Sequence, residues 1–342
     1  MKAVVLKGHG GPDDLEVEER PEPPVGPGEV RVRVKASGIN FADLMASKGL
    51  YPDAPKTPSV LGYEFAGEVD SLGEGVDGFA EGDRVFGPTM FGGYAELVTV
   101  PVGDLYSIPE GFSFEQAAAL PVNYCTALAA LVEMGGLREG QRVLIHAAAG
   151  GVGIAATQIA REIGAEIFGT ASASKHAVIR AQGVEHPIDY RNLDFTDEVR
   201  RLTGGEGVDL IIDATGPTNF RKDYRLLRPG GKMVMYGASE VAEAKRAFDR
   251  RAISALVRMP LVATPWWKSF AVMNENKGTF GLNLLDWWKG EGLSRLGALM
   301  EAGLERGTFD PVVDVTFPFE QAGDAHRFIA DRKNVGKVLL TP

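Results

Sequence analysis

The chain has 342 residues, 44% of them hydrophobic, with 36 basic against 46 acidic side chains and a formal net charge of −10. That length suggests about two domains, and the apolar share excludes a disordered chain. The acidic balance argues against nucleic acid as a main partner, and a single cysteine, Cys125, excludes both an internal disulfide and a cysteine-rich zinc site.

The N-terminal apolar run, Ala3–Leu6, is shorter than the roughly 7–15 residues of a secretory signal. No stretch reaches the ~18 apolar residues of a spanning helix. The nearest, Ile253–Met273, is interrupted by Arg258, Pro260, Pro265 and Lys268. The expectation is a cytoplasmic chain without a membrane span. Glycine is over-used, with 43 residues against about 24 expected at ~7% usage, so many backbone positions need turns or close approach.

The first 110 residues read as β-rich. Residues 30–35, VRVRVK, alternate Val with Arg or Lys, the period of a strand with one buried face. Short strands are expected at Ala66–Ser71, Asp83–Phe86 and Tyr94–Val100, and a short helix at Phe41–Ser47. Ser113 and Gln116 have capping-box spacing and open an Ala/Leu-rich helical stretch. From Arg142 the rhythm becomes βαβα: RVLIHAAA, GIAATQIAREIGA, EIFGTA, SKHAVIRAQG, VDLIIDATG and GKMVMYG. That alternation implies a doubly wound parallel sheet. A strand at Pro311–Phe317, a helix at Phe319–Arg332 and a strand at Gly336–Leu340 close the chain. The predicted organisation is one domain of residues 1–122 completed by 286–342, with a nucleotide domain of residues 123–285 inserted into it.

Residues 147–153, AAAGGVG, follow a strand and open a helix. In the pattern G-x-G-x-x-G, Ala148 replaces the first glycine. Gly150 would let the backbone approach a pyrophosphate, and Gly153 would let helix and strand pack closely; Gly151 and Val152 complete the loop. A helix N-terminus there offers free N–H groups to an anion. The second strand ends FGTAS, without the acidic residue that bonds a ribose 2′-hydroxyl in NAD-binding proteins. Ser172 and Lys175, with Tyr190 past the third strand, would instead hold a 2′-phosphate, which favours NADPH. Lys175 also reads as a solvated helix-start lysine.

The motifs VLIHAAAGGVG (143–153), ASGINFADL (36–44), LGYEFAGEV (61–69) and NVGKVLL (334–340) are collinear over nearly the whole chain. They resemble the zinc-free quinone oxidoreductase branch of the medium-chain dehydrogenase/reductase superfamily. TPWWKSF (264–270) adds a likeness to the vesicle amine transport protein homologues within that branch. The resemblance implies an α/β fold, with a doubly wound parallel Rossmann sheet inserted into a β-rich GroES-like catalytic domain and a cleft between the two. It also implies a homodimer joined through Thr279–Leu284. In the alcohol dehydrogenases of the superfamily a zinc-ligand Cys stands at the place of Asn40 and a His at that of Tyr63, so no metal site is expected.

By the same resemblance Asn40 faces the nicotinamide as an amide donor, Asp43 lies near the same cleft, and Tyr51 is a proton donor. Thr126, placed at a helix start, together with Gly237, Phe280, Asn334 and Lys337, matches cofactor-contacting positions. Packing readings stand beside several of these. Tyr51 also reads as a packed loop ring, Tyr63 and Phe280 as core residues, Lys337 as a surface residue and His146 as a satisfied core histidine. Glu64 reads as a structural partner. Trp266, Trp267, Trp287 and Trp288 form either an apolar substrate wall or a buried face. Lys245, Arg246, Arg250, Arg251 and Arg258 read as a solvated helix face.

The expected activity is NADPH-dependent, zinc-independent reduction of a small quinone or α,β-unsaturated carbonyl. An enoyl-thioester reductase is the alternative among enzymes. A regulatory or vesicle-associated NADPH-binding protein with little catalysis is the alternative of another class.

Overall fold

The computed structural model describes residues 1–242, 269–288 and 292–342. Trp266, Trp267 and the basic residues Lys245, Arg246, Arg250, Arg251 and Arg258 lie outside the described residues. The chain divides into two compact units: residues 1–122 with 311–342, and the described residues between 123 and 310.

The first unit runs β1 (Lys2–Leu6), β2 (Leu15–Glu19), β3 (Glu29–Ile39), α1 (Phe41–Ser47), β4 (Ser59–Val60), β5 (Glu64–Leu72), β6 (Arg84–Pro88), β7 (Leu97–Pro101), β8 (Tyr106–Ser107) and α2 (Phe114–Ala118). The alternation in β3 buries Val30, Val32 and Val34, while Arg31 and Arg33 both reach Asp70 of β5. From Ala36 onward both faces are buried. The predicted capping box is present, with Gln116 N donating to Ser113 Oγ at 3.2 Å and Ser113 N to Gln116 Oε1 at 3.1 Å. The expected long helix breaks after Ala118, and α3 (Pro121–Leu128) starts afresh on a proline, the residue that suits a first helical turn and cannot sit inside a helix.

The second unit carries β9 (Arg142–Ile145), α4 (Gly151–Ile163), β10 (Glu166–Ala171), α5 (His176–Gln182), β11 (His186–Asp189), α6 (Phe195–Leu202), β12 (Val208–Asp213), α7 (Pro217–Leu226), β13 (Leu227–Met235) and β14 (Gly278–Gly281). These six strands pair in parallel in the order β11-β10-β9-β12-β13-β14. Counted within the unit that is 3-2-1-4-5-6, the doubly wound order whose ligands sit beyond the strands' C-terminal ends, where the order reverses. The reversal falls between β9 and β12. The chain then returns to the first unit as β15 (Val313–Pro318) and β16 (Lys337–Thr341), and β16 pairs antiparallel with β3.

Three expectations shift. The strand predicted through Ala149 stops at Ile145, because Ala147 takes a left-handed φ of 51° and turns the chain. The Thr279–Leu284 strand is Gly278–Gly281, and Leu284 already opens a short helix. Residues 286–310 belong to the second unit rather than the first. Arg306 pairs with Glu162, Arg295 with Glu133, and Gln158 bonds the Asp310 backbone at both of its amide atoms.

Candidate active site

In the first unit β3 delivers Asn40 directly to the start of α1. Asn40 N donates to Asp43 Oδ2 at 2.8 Å, and Gly62 N donates to Asp43 Oδ1 at 3.0 Å. Both carboxylate oxygens are therefore engaged, and Asp43 is fully buried. Burial lifts its carboxyl to about 7 against those two N–H donors. Asp43 thus ties the α1 start, and with it Asn40, to the 61–62 turn.

The Asn40 side chain is the hub of a buried polar network. Its Nδ2 donates to Glu64 Oε1 at 2.8 Å, and its Oδ1 accepts from Lys337 Nζ at 2.6 Å. Lys337 also pairs with Glu64 Oε1, and Glu64 Oε2 accepts from Val122 N at 2.8 Å. Lys337 is only 3% exposed, so it is no surface lysine. Its ammonium is held by Glu64 and by Asn40. Gly38 makes the meeting possible: a Cβ there would fall 2.3 Å from Glu64 Oε1 and 2.6 Å from Lys337 Cε. An amide carrying an ammonium on its oxygen and a carboxylate on its nitrogen has one fixed orientation.

Tyr51 and Tyr63 meet edge to face, with centroids 6.3 Å apart, and Tyr63 also packs on Phe91 at 4.8 Å. Tyr63 is buried in this aromatic stack, as the packing reading expects. Burial, then Asp53 and Asp43, push the Tyr51 phenol up to about 12, so it keeps its proton at neutral pH. Asn334 is half-buried at the turn before β16 and donates from Nδ2 to Gly336 O at 2.9 Å.

In the second unit the glycine loop joins β9 to α4. Gly150 is the N-cap of α4 and carries no side chain to cap it. The first N–H groups of a helix lack intrahelical partners, here those of Gly151, Val152 and Gly153. A Cβ at Gly153 would lie 2.4 Å from Ala147 O and 2.7 Å from Ala148 Cα, so only glycine lets α4 pack on the strand end. A Cβ at Gly150 would meet only Ala147 O, at 3.3 Å, so the fold itself does not require that glycine. Ala148 is buried, and its N–H bonds Thr170 O at 3.0 Å. Free N–H groups over a bare backbone cradle fit a pyrophosphate.

Beyond β10, Ser172 caps a short turn that contains Lys175, and Ser172 Oγ lies 3.2 Å from Ser174 Oγ. Tyr190 is exposed just past β11. The sequence pattern missed Asp189, which the sheet register sets opposite Ala171 at the end of β10. Its carboxylate accepts from Asn192 Nδ2 at 2.6 Å and from Arg191 N at 3.2 Å. Thr126 is buried in the body of α3 and not at a helix start. Gly237 packs against Ala214, and Phe280 stands 39% exposed on the edge strand β14. Trp288 is buried, which favours the packing reading for that tryptophan.

Together these elements define a class: a β-rich unit joined to a doubly wound sheet with a glycine loop at the end of its first strand, the build of a dinucleotide-type oxidoreductase. Residues 26–110 match the family described as alcohol dehydrogenase GroES-like domain, and residues 182–340 the family described as zinc-binding dehydrogenase. The chain is 42% identical to the synaptic vesicle membrane protein VAT-1 homolog of Rattus norvegicus, in an alignment covering 100% of this chain and 84% of that relative. The Escherichia coli quinone oxidoreductase complexed with NADPH superposes with a TM-score of 0.85 at 28% identity, covering 100% of both chains. CurK enoyl reductase does so with a TM-score of 0.85 at 28% identity, covering 99% of this chain and 98% of that one. The chain belongs to the medium-chain dehydrogenase/reductase superfamily of oxidoreductases. Within it, VAT-1 homologues are its relatives in sequence and quinone oxidoreductases its neighbours in structure.

Proposed function

We propose that the protein is an NADPH-dependent, zinc-independent reductase of quinones or α,β-unsaturated carbonyls. The observation that carries this reading is the glycine loop, with its uncapped helix start and the side-chain-free Gly150. Ala148, Gly150, Gly151, Val152 and Gly153 would hold the pyrophosphate. Ser172, Lys175 and Tyr190 would hold a 2′-phosphate, since β10 ends without a carboxylate of its own and the neighbouring Asp189 is engaged by Asn192. Thr126, Gly237, Phe280, Asn334 and Lys337 are the further contacts this reading assigns. The Escherichia coli quinone oxidoreductase is complexed with NADPH, which supports the same choice.

The nicotinamide, when bound, supplies a hydride. The protein's task is then to orient a conjugated acceptor and return a proton. Tyr51 keeps its phenolic proton across the physiological range and delivers it to the reduced acceptor. Asn40, fixed by Glu64 and Lys337, orients the acceptor. A quinone or enone spreads the arriving charge onto an oxygen, so no Lewis acid is required. Asn40 and Tyr63 supply none of the Cys or His donors that hold zinc in relatives.

The likeness to CurK enoyl reductase supports enoyl-thioester reduction as a second reading, since it uses the same hydride and proton deliveries. Among the described residues β14 is the last strand of its sheet, with Phe280 exposed on it, and this supports a homodimer. No helix among the described residues is long and apolar enough to cross a membrane.

Steady-state NADPH oxidation against a panel of quinones, enones and enoyl thioesters tests the reading. Turnover of at least one quinone or enone is expected. Dinucleotide binding with no turnover on any acceptor would leave a binding protein and refute the enzyme.

A further inference from the structure

Beneath the glycine loop lies a buried polar cluster that the proposed chemistry does not use. His146 is the first residue after β9, Thr170 lies in β10, Asp213 ends β12, and Asp223 comes from α7. All four are buried, His146 to 1% exposure. β9 and β12 flank the point where the strand order reverses, so the cluster backs the crevice in which a doubly wound sheet holds its ligand.

The bonds form a chain that leads to the loop. His146 Nε2 lies 2.9 Å from Asp223 Oδ1, and His146 Nδ1 lies 3.1 Å from Thr170 Oγ1. Ala147 N donates to the same Thr170 Oγ1 at 3.3 Å. Ala147 is the residue held at a φ of 51°, a conformation unfavourable without glycine, and Gly150 N donates back to its carbonyl at 2.9 Å. Asp213 Oδ1 accepts from both N and Oγ1 of Thr215 and so shapes the next strand-end loop. One oxygen of each aspartate, Oδ2, has no protein partner among the described residues.

We infer that His146, Thr170, Asp213 and Asp223 are positioning residues that hold the glycine loop in its binding geometry and thereby set dinucleotide affinity without touching the dinucleotide. The inference rests on the dinucleotide reading above. The groups facing the imidazole are Asp223 of α7, Asp213 of β12, Thr170 of β10 and the ring of Phe195 of α6, which stands edge-on at 4.8 Å. Lys222 of α7 lies over that same Phe195 ring and pairs with Asp194, and Tyr236 neighbours Asp213. Burial alone would push His146 down, but Asp223 first and Asp213 second outweigh it and lift it to about 9, while burial lifts Asp213 to about 7 against the pull of the imidazolium. A cation is therefore held under the loop at neutral pH and lost as pH rises past about 9.

Thr170→Val removes the hydroxyl that joins His146 to Ala147 while keeping the side chain's shape; Thr170→Ser keeps the hydroxyl. NADPH titration at pH 7 should show affinity about tenfold weaker in Thr170→Val and within about twofold of wild type in Thr170→Ser. Wild-type affinity should fall between pH 8 and pH 10, and His146→Gln should remove most of that fall, a readout that a purely structural role would not move. Hydrogen exchange of the Ala147 and Ala148 amides, measured without ligand, should quicken about tenfold in Thr170→Val only. Wild-type affinity in Thr170→Val, or unchanged exchange there, overturns the inference. If wild type binds no dinucleotide, the cofactor reading fails by itself, and the exchange experiment still decides whether the cluster positions the loop. One side-chain nitrogen or oxygen from each of His146, Asp213 and Asp223 lies within 4.8 Å of the other two. Stoichiometric zinc uptake abolished by His146→Gln would therefore also overturn it, by making the cluster a cation site.

Discussion

Removing Lys337 should cost far more than removing a surface lysine. Its ammonium lies 3% exposed against the fully buried Glu64 carboxylate and the Asn40 oxygen. Lys337→Met leaves the Glu64 charge without its counter-ion, and stranding one member of a buried pair costs about 3–5 kcal/mol. An exposed pair would cost about 0–1 kcal/mol. Glu64→Gln should cost a similar amount, because it strands the ammonium and weakens the bond from Val122 N. The double variant should fall short of the sum of the singles by about 2 kcal/mol or more, since neither charge is then left alone. Urea unfolding read by hydrogen exchange of the β3 amides suits this test, because all four tryptophans fall at positions 266–288, far from the network in sequence. Single variants costing under about 1 kcal/mol, or strictly additive costs, would refute the buried-network account.

Gly150→Ala and Gly153→Ala should separate fold from function. The first should leave thermal stability near wild type and weaken NADPH binding at least tenfold by titration, because its Cβ meets only Ala147 O at 3.3 Å. The second should lose stability as well, because its Cβ strikes backbone at 2.4 Å. His326 is fully buried, neither ring nitrogen is bonded among the described residues, and burial holds it down at about 3. Its contribution to stability is complete above its free value near 6.5 and is lost as pH falls toward 3, by about 1.4 kcal/mol per pH unit in that window. His326→Leu should flatten this acid limb in melting scans at pH 7, 5 and 4, and an unchanged limb would contradict the assignment. Tyr51→Phe should lower kcat on an enone about tenfold to a hundredfold while leaving NADPH affinity intact, and unchanged turnover would remove Tyr51 as the donor.

Local pattern revealed what local physics dictates. The Val/Arg alternation of β3 and the helix Phe41–Ser47 are readable because one buried face and one cap specify them. The glycine loop is readable because strand, turn and helix follow each other within a dozen residues. RVLIHAAA hid its turn at Ala147, since His146 and the three alanines after it include no glycine to mark a left-handed φ. The Asn40–Lys337 contact spans 297 positions, and no short-range signal links the two. A lysine after a glycine in NVGKVLL reads as surface until β16 is paired with β3. Asp43 reads two ways in the sequence, since its spacing from Asn40 marks a capping box as well as a site, and the structure shows the capping box. Asp189 escaped notice because its place beside Ala171 is set by sheet register rather than by distance along the chain.

The proposed function stands or falls on hydride delivery from a reduced nicotinamide to a conjugated acceptor. It is tested by turnover of an α,β-unsaturated ketone with NADPH carrying deuterium at both C4 positions of the nicotinamide, read by mass spectrometry and NMR of the product. One deuterium per turnover is expected on the β-carbon, with the α-carbon proton drawn from solvent. Product without deuterium at the β-carbon, or no product from any enone or quinone while the dinucleotide binds, would contradict it.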